Sequence, residues 1–355
     1  MNRMIFAITL AFAIGCGGEG GGGSDSSPEV SNAEGLTLYT PMTQEGSFLL
    51  VNREGETVHE WTTGQRTGMG RLLADGSIVV LLGALAKPGT PPSGTPLIAG
   101  LDWDGNTLWE YKNDQLHHDV CPLPNGNVLA ILWEQMTPAN RARVTPAKSG
   151  AYYSDVIVEI DPASGAIAWE WHAQDEMVIE NYTASATSNE FTHANGVEYL
   201  PEGNPFNGVP SILVSFRHLD TILVAECDSG EITWEYGPGD LKGQHNPTLL
   251  ENGNILVFDN RLAGTGSRVA EIFPETGEIV WEYEAEDFYS GHISGAQRLL
   301  DGNTLICEGA TGRIFEVTES GEIAWEHFSP DSAQVFRAYR YDAEEIDWPD
   351  PSIFE

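Results

Sequence analysis

Along this chain, apolar and polar residues alternate in short runs, and turns rich in Gly, Asn, Asp and Pro interrupt the runs. A period of two puts successive side chains on opposite faces, which is the pattern of strands rather than helices. One unit recurs: a turn residue, an alternating run, then Trp-Glu-aromatic. Its copies are Gly105–Tyr111 (GNTLWEY), Gly165–Trp171 (GAIAWEW), Gly230–Tyr236 (GEITWEY), Gly277–Tyr283 (GEIVWEY) and Gly321–His327 (GEIAWEH). Gly55–Trp61 (GETVHEW) is a sixth copy, with His59 in the tryptophan position. An apolar run precedes each copy, as Val156–Asp161 precedes the turn Pro162-Ala163-Ser164-Gly165, and the pair predicts a β-hairpin.

A second hairpin lies upstream of most copies, with two apolar runs around an Asn-Gly-Asn turn: Leu123–Leu132, Leu249–Phe258 and Leu299–Cys307. Asp75-Gly76-Ser77 and Glu202-Gly203-Asn204 take that place elsewhere. Two hairpins make four antiparallel strands. The tryptophan position runs from residue 59 to residue 325 in five steps, about 53 residues per unit. Six such units, with no helical period between them, predict an all-β fold, a six-bladed β-propeller over residues 35–343. Leu36–Trp61 supplies only three strands, and Val335–Tyr341 is a lone strand after the last hairpin. The C-terminal strand should therefore complete the first blade and close the ring, leaving 344–355 as a tail. Rings at a fixed strand position would fill the space between blades, with the adjoining Glu in solvent, so the Trp-Glu repeat reads as structural.

Composition narrows the functions. The 355 residues are 41% apolar, enough for a large core, which excludes a disordered chain. Lys and Arg number 17 against 53 Asp and Glu, a formal charge of −36. Such a surface repels phosphate backbones and anionic lipid headgroups, which excludes nucleic-acid binding. An anionic substrate would need a local positive pocket. At the N-terminus, Arg3 precedes an apolar run, Met4–Ile14, too short to span a bilayer and ending at Ala13-Ile14-Gly15-Cys16. Residues 1–16 read as an export signal with a lipobox-like cysteine, and the Gly/Ser-rich segment 17–34 as a tether. Acylated Cys16 should hold an exported protein to a membrane by its lipid alone; Gly17 after it resembles the sorting pattern of outer-membrane lipoproteins. Cys121, Cys227 and Cys307 form no disulfide framework and read as free thiols.

The innermost strand of each blade faces the axis, and its start is where functional groups gather. Four blades place histidine there: His117 and His118, His193, His245 and His292. Arg71 stands near the same place in the second blade and Arg337 in the closing strand, while Arg217-His218, Arg261 and Arg313 follow on neighbouring strands and loops. A repeated architectural histidine is the plain alternative. Arginine convergence on the same end instead predicts an electropositive well for an oxyanion. Several histidines also suit zinc, but the adjoining Arg and Asn add charge without ligands, so no metal is expected.

These residues resemble the bacterial aryl-sulfate sulfotransferases, six-bladed propellers that use no nucleotide sulfate donor. Gln244–Asn260 (QHNPTLLENGNILVFDN) resembles the segment whose histidine is transiently sulfated. His193-Ala194-Asn195 followed by Ser215-Phe216-Arg217-His218 resembles the family's His-x-Asn and Ser-x-Arg-His segments. Leu116–Asn127 (LHHDVCPLPNGN) resembles the strand giving a further active-site histidine, either His117 or His118; counting back from the Asn-Gly-Asn turn matches His118 with His245. The likeness spans about Leu36 to Tyr341. The separate N-terminal β domain of the enterobacterial members has no counterpart, nor has their cysteine pair, where this chain reads Tyr236–Gly243.

The resemblance implies ping-pong transfer from a phenolic sulfate ester to a phenol, with no cofactor. His245 would be the nucleophile, Arg217 would hold the sulfuryl oxygens, and His118 and His193 would stabilise oxygens and carry protons. Asn195, His117, His292 and Arg337 would line the substrate site. Two other readings stand beside it: a non-catalytic propeller lipoprotein, and a quinoprotein dehydrogenase, since Glu159-Ile160-Asp161-Pro162 with Gly165 and Trp169 resembles the repeat of eight-bladed quinone enzymes. Oligomeric state is not readable from the sequence.

Overall fold

A computed structural model describes residues 35–354, except 44, 84–87, 89–95, 186 and 262–265. The export signal, Cys16 and the tether lie outside the described residues. The remainder forms six four-stranded antiparallel sheets arranged as a propeller. Blade 2 is Thr67–Leu72, Ile78–Leu82, Leu97–Leu101 and Thr107–Lys112; blade 3 is Leu116–Pro122, Val128–Gln135, Tyr153–Asp161 and Ala166–His172. Blade 4 is Ala194–Leu200, Ser211–Phe216, Thr221–Glu226 and Ile232–Tyr236. Blade 5 comprises His245–Leu249, Ile255–Asp259, Arg268–Phe273 and Glu278–Tyr283, and blade 6 Gly295–Arg298, Thr304–Glu308, Arg313–Val317 and Ile323–Phe328.

Blade 1 is closed as the sequence suggests. Gly35–Pro41, Ser47–Val51 and Thr57–Thr62 are its outer strands, and Val335–Asp342 pairs with Gly35–Pro41 as its innermost one. First strands contact one another from blade to blade around the whole ring, so they form the hub.

Six apolar clusters hold the ring together, one in each gap between neighbouring blades. Phe258 and Leu256 of blade 5, for example, meet Ile306 and Phe315 of blade 6. Both faces of an inner strand are therefore covered, which is why Ile78–Leu82 and Ile255–Asp259 are buried at every position. Only the outermost strands alternate in burial, as Glu278–Tyr283 does. Each fully buried large side chain contributes about 1.5–3 kcal/mol.

The Trp-Glu repeat is a set of stitches between blades. Nε1 of Trp169 donates to Cys227 O (2.7 Å), Trp234 to Pro274 O (3.0 Å) and Trp281 to Glu319 O (2.9 Å), each in the following blade. Trp325 of blade 6 donates to Arg53 O in blade 1 (2.6 Å), across the closing seam. His59, the sequence exception, makes the equivalent reach to Trp103 O with Nε2 at 2.9 Å. The Glu partners are exposed.

The tail packs rather than trailing away. Ile346 is buried in the gap between blades 1 and 2, and Trp348 sits edge-on to Trp103. Cys121, Cys227 and Cys307 are free thiols. Among the described residues no helix is long and apolar enough to cross a membrane.

Candidate active site

A β-bulge interrupts the start of several innermost strands, and the chemistry sits on these bulges. Pairing shifts between His117 and Val120 in blade 3, between Ala194 and Gly196 in blade 4, and between His245 and Thr248 in blade 5. Each bulge carries or adjoins a residue with left-handed backbone: His118 (φ 55°) and Asn246 (φ 51°) within theirs, and His193 (φ 55°) just before that of blade 4. Non-glycine residues rarely adopt this conformation, and bulges of this sort re-aim side chains, here toward the axis.

The three bulges are not the same size, and this sets His117 and His118 apart. His117 pairs with Ile131 as His245 pairs with Phe258, whereas three residues further on Val120 meets Ala130 but Thr248 meets Leu256. Blade 3 thus holds one extra residue. Counted from the outer end His117 corresponds to His245; counted from the Asn-Gly-Asn turn His118 does. The extra residue sends the two rings different ways. His117 is fully buried, stacked on Trp133 with ring centroids 3.6 Å apart, and its Nε2 lies 3.1 Å from Asp155 Oδ1. His118 turns to the axis, its ring 4.6 Å from that of His193.

His118, His193 and His245 share a feature: Nδ1 is tied to the protein. His118 Nδ1 is 2.7 Å from His117 Nδ1. His193 Nδ1 is hydrogen-bonded to Glu190 Oε2. His245 Nδ1 is 2.7 Å from Asn260 Oδ1. Each ring therefore offers its Nε2 to the hub, and for none of the three does Nε2 have a hydrogen-bond partner among the described residues. Arg217 follows Ser211–Phe216 in a turn of 3-10 helix, next to His218, whose ring stacks on His193 at 4.4 Å. The Arg217 guanidinium likewise makes no hydrogen bond among the described residues.

Charge and burial in this cluster act together. Burial, then the positive neighbourhood of His117, His245, Arg217 and Arg337, holds His118 well below the ordinary imidazole pKa. Burial and then His118, His218 and Arg217 do the same to His193. For His245 burial acts first and Arg217 second, against the opposing hydrogen bond to Asn260. His218 is pushed down to about 4 by burial and Arg217. The hub sets imidazoles held toward their neutral form beside the Arg217 guanidinium, with Arg337 close by, an arrangement suited to an oxyanion.

The other expected site residues lie around this group. Arg337 is fully buried beneath it and ion-paired with Asp119 at 2.7 Å, while Nη2 donates to Asn195 O at 3.0 Å. Asn195 is buried and gives an amide hydrogen to Gln244 O (2.8 Å), tying blade 4 to blade 5. His292 is on the exposed rim, with Nε2 3.4 Å from Gln334 Oε1. The arginines do not all converge. Arg71 lies 3.6 Å from Asp119 and lines a separate cavity with Glu198 and Arg298; Arg261 pairs with Glu284 and Arg313 with Glu326. Nearby carboxylates capture them, Asp119 holding Arg71 as well as Arg337, and a strongly acidic sequence makes such pairs common.

Three residues absent from the sequence reading support the site: Asp155, Glu190 and Asn260. Asn260 closes the Gln244–Asn260 stretch, and two strands of an ordinary hairpin would have placed it beside His245. Asp155 comes from the third strand of blade 3, and Glu190 stands three residues before His193. Glu190 belongs to the segment between blades 3 and 4, anchored where Tyr152 Oη donates to Glu190 O at 3.0 Å. Glu190, His193 and His218 also offer donor atoms within 4.8 Å of one another, a set that could take a divalent metal. Arg217 beside it opposes added positive charge, and Glu190 already orients His193. A cavity of about 640 Å³ opens from Arg217 and His218 toward Tyr182, Ser188 and Lys242, room for the organic part of a substrate.

Comparisons with known proteins bear on the fold and the family. The chain superposes on a protein of unknown function from Bacteroides caccae at TM-score 0.58 and 13% identity, over 86% of this chain and 98% of that one. It also superposes on a chain of a nidogen/laminin complex at TM-score 0.52 and 7% identity, over 86% and 98%. At such identities these likenesses establish the fold alone. No curated protein matches the sequence. The arylsulfotransferase (ASST) family model matches residues 72–329, which spans blades 2 to 6 and every histidine of the hub. The chain belongs to the arylsulfotransferase family.

Proposed function

We propose that this propeller transfers a sulfuryl group from a phenolic sulfate ester to a phenol, by two displacements at His245. The carrying observation is the hub itself: three imidazoles with Nδ1 engaged and Nε2 turned inward, beside the guanidinium of Arg217. His245 Nε2 attacks sulfur in line, forming an N–S bond as the bond from sulfur to the phenolic oxygen breaks. Arg217 holds the sulfuryl oxygens by charged hydrogen bonds. His118 and His193 deliver a proton to the departing phenolate and remove one from the incoming phenol. A second in-line attack, by the phenol oxygen, returns the electron pair of the N–S bond to His245.

The reading needs no cofactor, and six blades favour it over the eight-bladed quinone enzymes. Cys16 and the segment before it support an exported lipoprotein held at the outer membrane. The test is the intact mass of the chain after exposure to 4-nitrophenyl sulfate without acceptor. A gain of one sulfuryl group, lost on adding phenol and absent in His245→Ala, is expected. Full turnover by His245→Ala would overturn the assignment.

A further inference from the structure

Three hub histidines have different partners behind them, and the arrangement behind His118 is the longest. Asp155 is fully buried between blades 3 and 4. Its Oδ2 accepts from Thr192 Oγ1 and from Ala194 N, both at 2.5 Å, which fixes the carboxylate. Its Oδ1 faces His117 Nε2 at 3.1 Å, an ion-pair contact whose angle falls short of a hydrogen bond in this geometry and which a small ring rotation would align, and Trp133 holds the His117 ring in place by stacking. His117 in turn meets His118 Nδ1 to Nδ1 at 2.7 Å. Two ring nitrogens at that separation need one proton between them, so one donates and the other accepts.

We propose that Asp155 and His117 are positioning residues that set the tautomer of His118, making His118 Nε2 the base that deprotonates the acceptor phenol. The proposal rests on the sulfotransferase reading and adds the group that performs its second half. An ionised carboxylate accepts only, so the His117 proton sits on Nε2, facing Asp155. His117 Nδ1 then carries a lone pair and accepts the His118 Nδ1 proton. His118 Nε2 is left with a lone pair toward the hub. During acceptor attack the phenol O–H proton moves to that nitrogen; the phenol oxygen bonds sulfur, and the N–S electron pair returns to His245 Nε2.

Asp155→Asn reverses the chain. The amide that replaces the carboxylate can keep its oxygen toward Thr192 and Ala194, which places its nitrogen opposite His117 Nε2. Donor then faces donor unless His117 moves its proton to Nδ1, and His118 must take its own proton on Nε2. The base is lost while the nucleophile is untouched. Substitutions that impose the wrong tautomer cost up to about 10⁴-fold in other histidine catalysts.

The experiment follows the two half-reactions separately in wild type and Asp155→Asn. 4-Nitrophenyl sulfate leaves without a proton, so Asp155→Asn is expected to release a burst of one nitrophenolate per chain and accumulate the sulfuryl-protein. Transfer onward to unsubstituted phenol, pKa ~10, should fall at least about a hundredfold. Transfer to a dinitrophenol, already ionised near neutral pH, should stay within about two-fold. His117→Gln keeps a donor for Asp155 but withdraws the acceptor from His118, and should show the same bias toward ionised acceptors. Equal losses with both phenols, or no loss with either, would overturn the relay. If wild type itself gives no burst, the sulfotransferase reading falls first. Nitrogen-15 spectra read the tautomer independently of activity: His118 protonated on Nδ1 in wild type and on Nε2 in Asp155→Asn, with an unchanged tautomer counting against the proposal.

Discussion

Asn260 Oδ1 stands 2.7 Å from His245 Nδ1, and the Asn260 amide cannot be turned around: its Nδ2 donates to Ser290 O at 2.7 Å and to Ile293 O at 3.0 Å. The oxygen must face His245, which must then hold its proton on Nδ1 and its lone pair on Nε2. His193 is backed directly by a carboxylate, Glu190, and His118 through His117 by Asp155. A carboxylate strengthens an imidazole's hold on a proton, whereas a neutral amide orients the ring with little change in basicity. The division suits a nucleophile flanked by two proton carriers.

Asn260→Asp should therefore slow the protein in a pH-dependent way. The new carboxylate would favour protonated His245, opposing the burial and the Arg217 charge that now hold its pKa down, and so withdraw the nucleophile increasingly as pH falls. Pre-steady-state release of nitrophenolate should fall by roughly tenfold or more near neutrality and recover as pH rises. A pH-independent loss would point to misfolding, since the two backbone carbonyls also lose their donor.

Arg217→Lys keeps the charge but not the paired geometry of the guanidinium. Loss of transition-state donors of this kind costs about 10²–10³-fold in kcat. Arg217→Lys should retain more of kcat than Arg217→Ala, and both should lose more in kcat than they gain in KM if the contact tightens on the sulfuryl group in flight. Steady-state kinetics with one aryl sulfate donor check the split.

Acid should destabilise the fold through these imidazoles. Burial holds His118, His193, His218 and His245 below the ordinary value of ~6.5, so below that pH the unfolded chain binds protons that the native one refuses. Stability is then fully present above about 6.5 and lost as pH falls, by about 1.4 kcal/mol per pH unit for each such group. For His218 the loss continues down to about 4. Urea melts across that range should be shallower in pH dependence for His218→Gln, and an unchanged slope would contradict the assignment.

Ring closure rests partly on Trp325, whose Nε1 reaches Arg53 O while the Arg340 guanidinium lies 4.9 Å over its ring. Trp325→Phe removes the seam hydrogen bond while keeping a smaller aromatic ring in the gap, and should cost at least about 0.5–1.5 kcal/mol. Trp325→Ala also empties the gap between blades 6 and 1 and should cost about 3–5 kcal/mol. Thermal melts of the two variants compare the terms; equal effects would assign the stability to the hydrogen bond rather than to the packing.

The sequence by itself determined the number of blades, the closing role of Val335–Tyr341 and the structural purpose of the tryptophans. Those features are written in local alternation and in a repeat, and a blade cannot bury both faces without neighbours on either side. His193, His245 and the His117-His118 pair stood out in the sequence at repeated places on inner strands, without a choice within the pair, and Arg217 stood out through its resemblance to the family's Ser-x-Arg-His segment. Tertiary structure alone decided that blade 3 carries one residue more in its bulge, since registry depends on pairing with Val128–Gln135 and not on spacing to the turn. It also decided the partners: Asp155 joins His117 of its own blade to Thr192 and Ala194 at the start of blade 4, Arg71 shares Asp119 with Arg337, and Arg261 and Arg313 are held by Glu284 and Glu326. A histidine's proton is placed by whatever faces its far nitrogen, and which neighbour that is depends on the folded backbone around each inner strand, not on the spacing of residues alone.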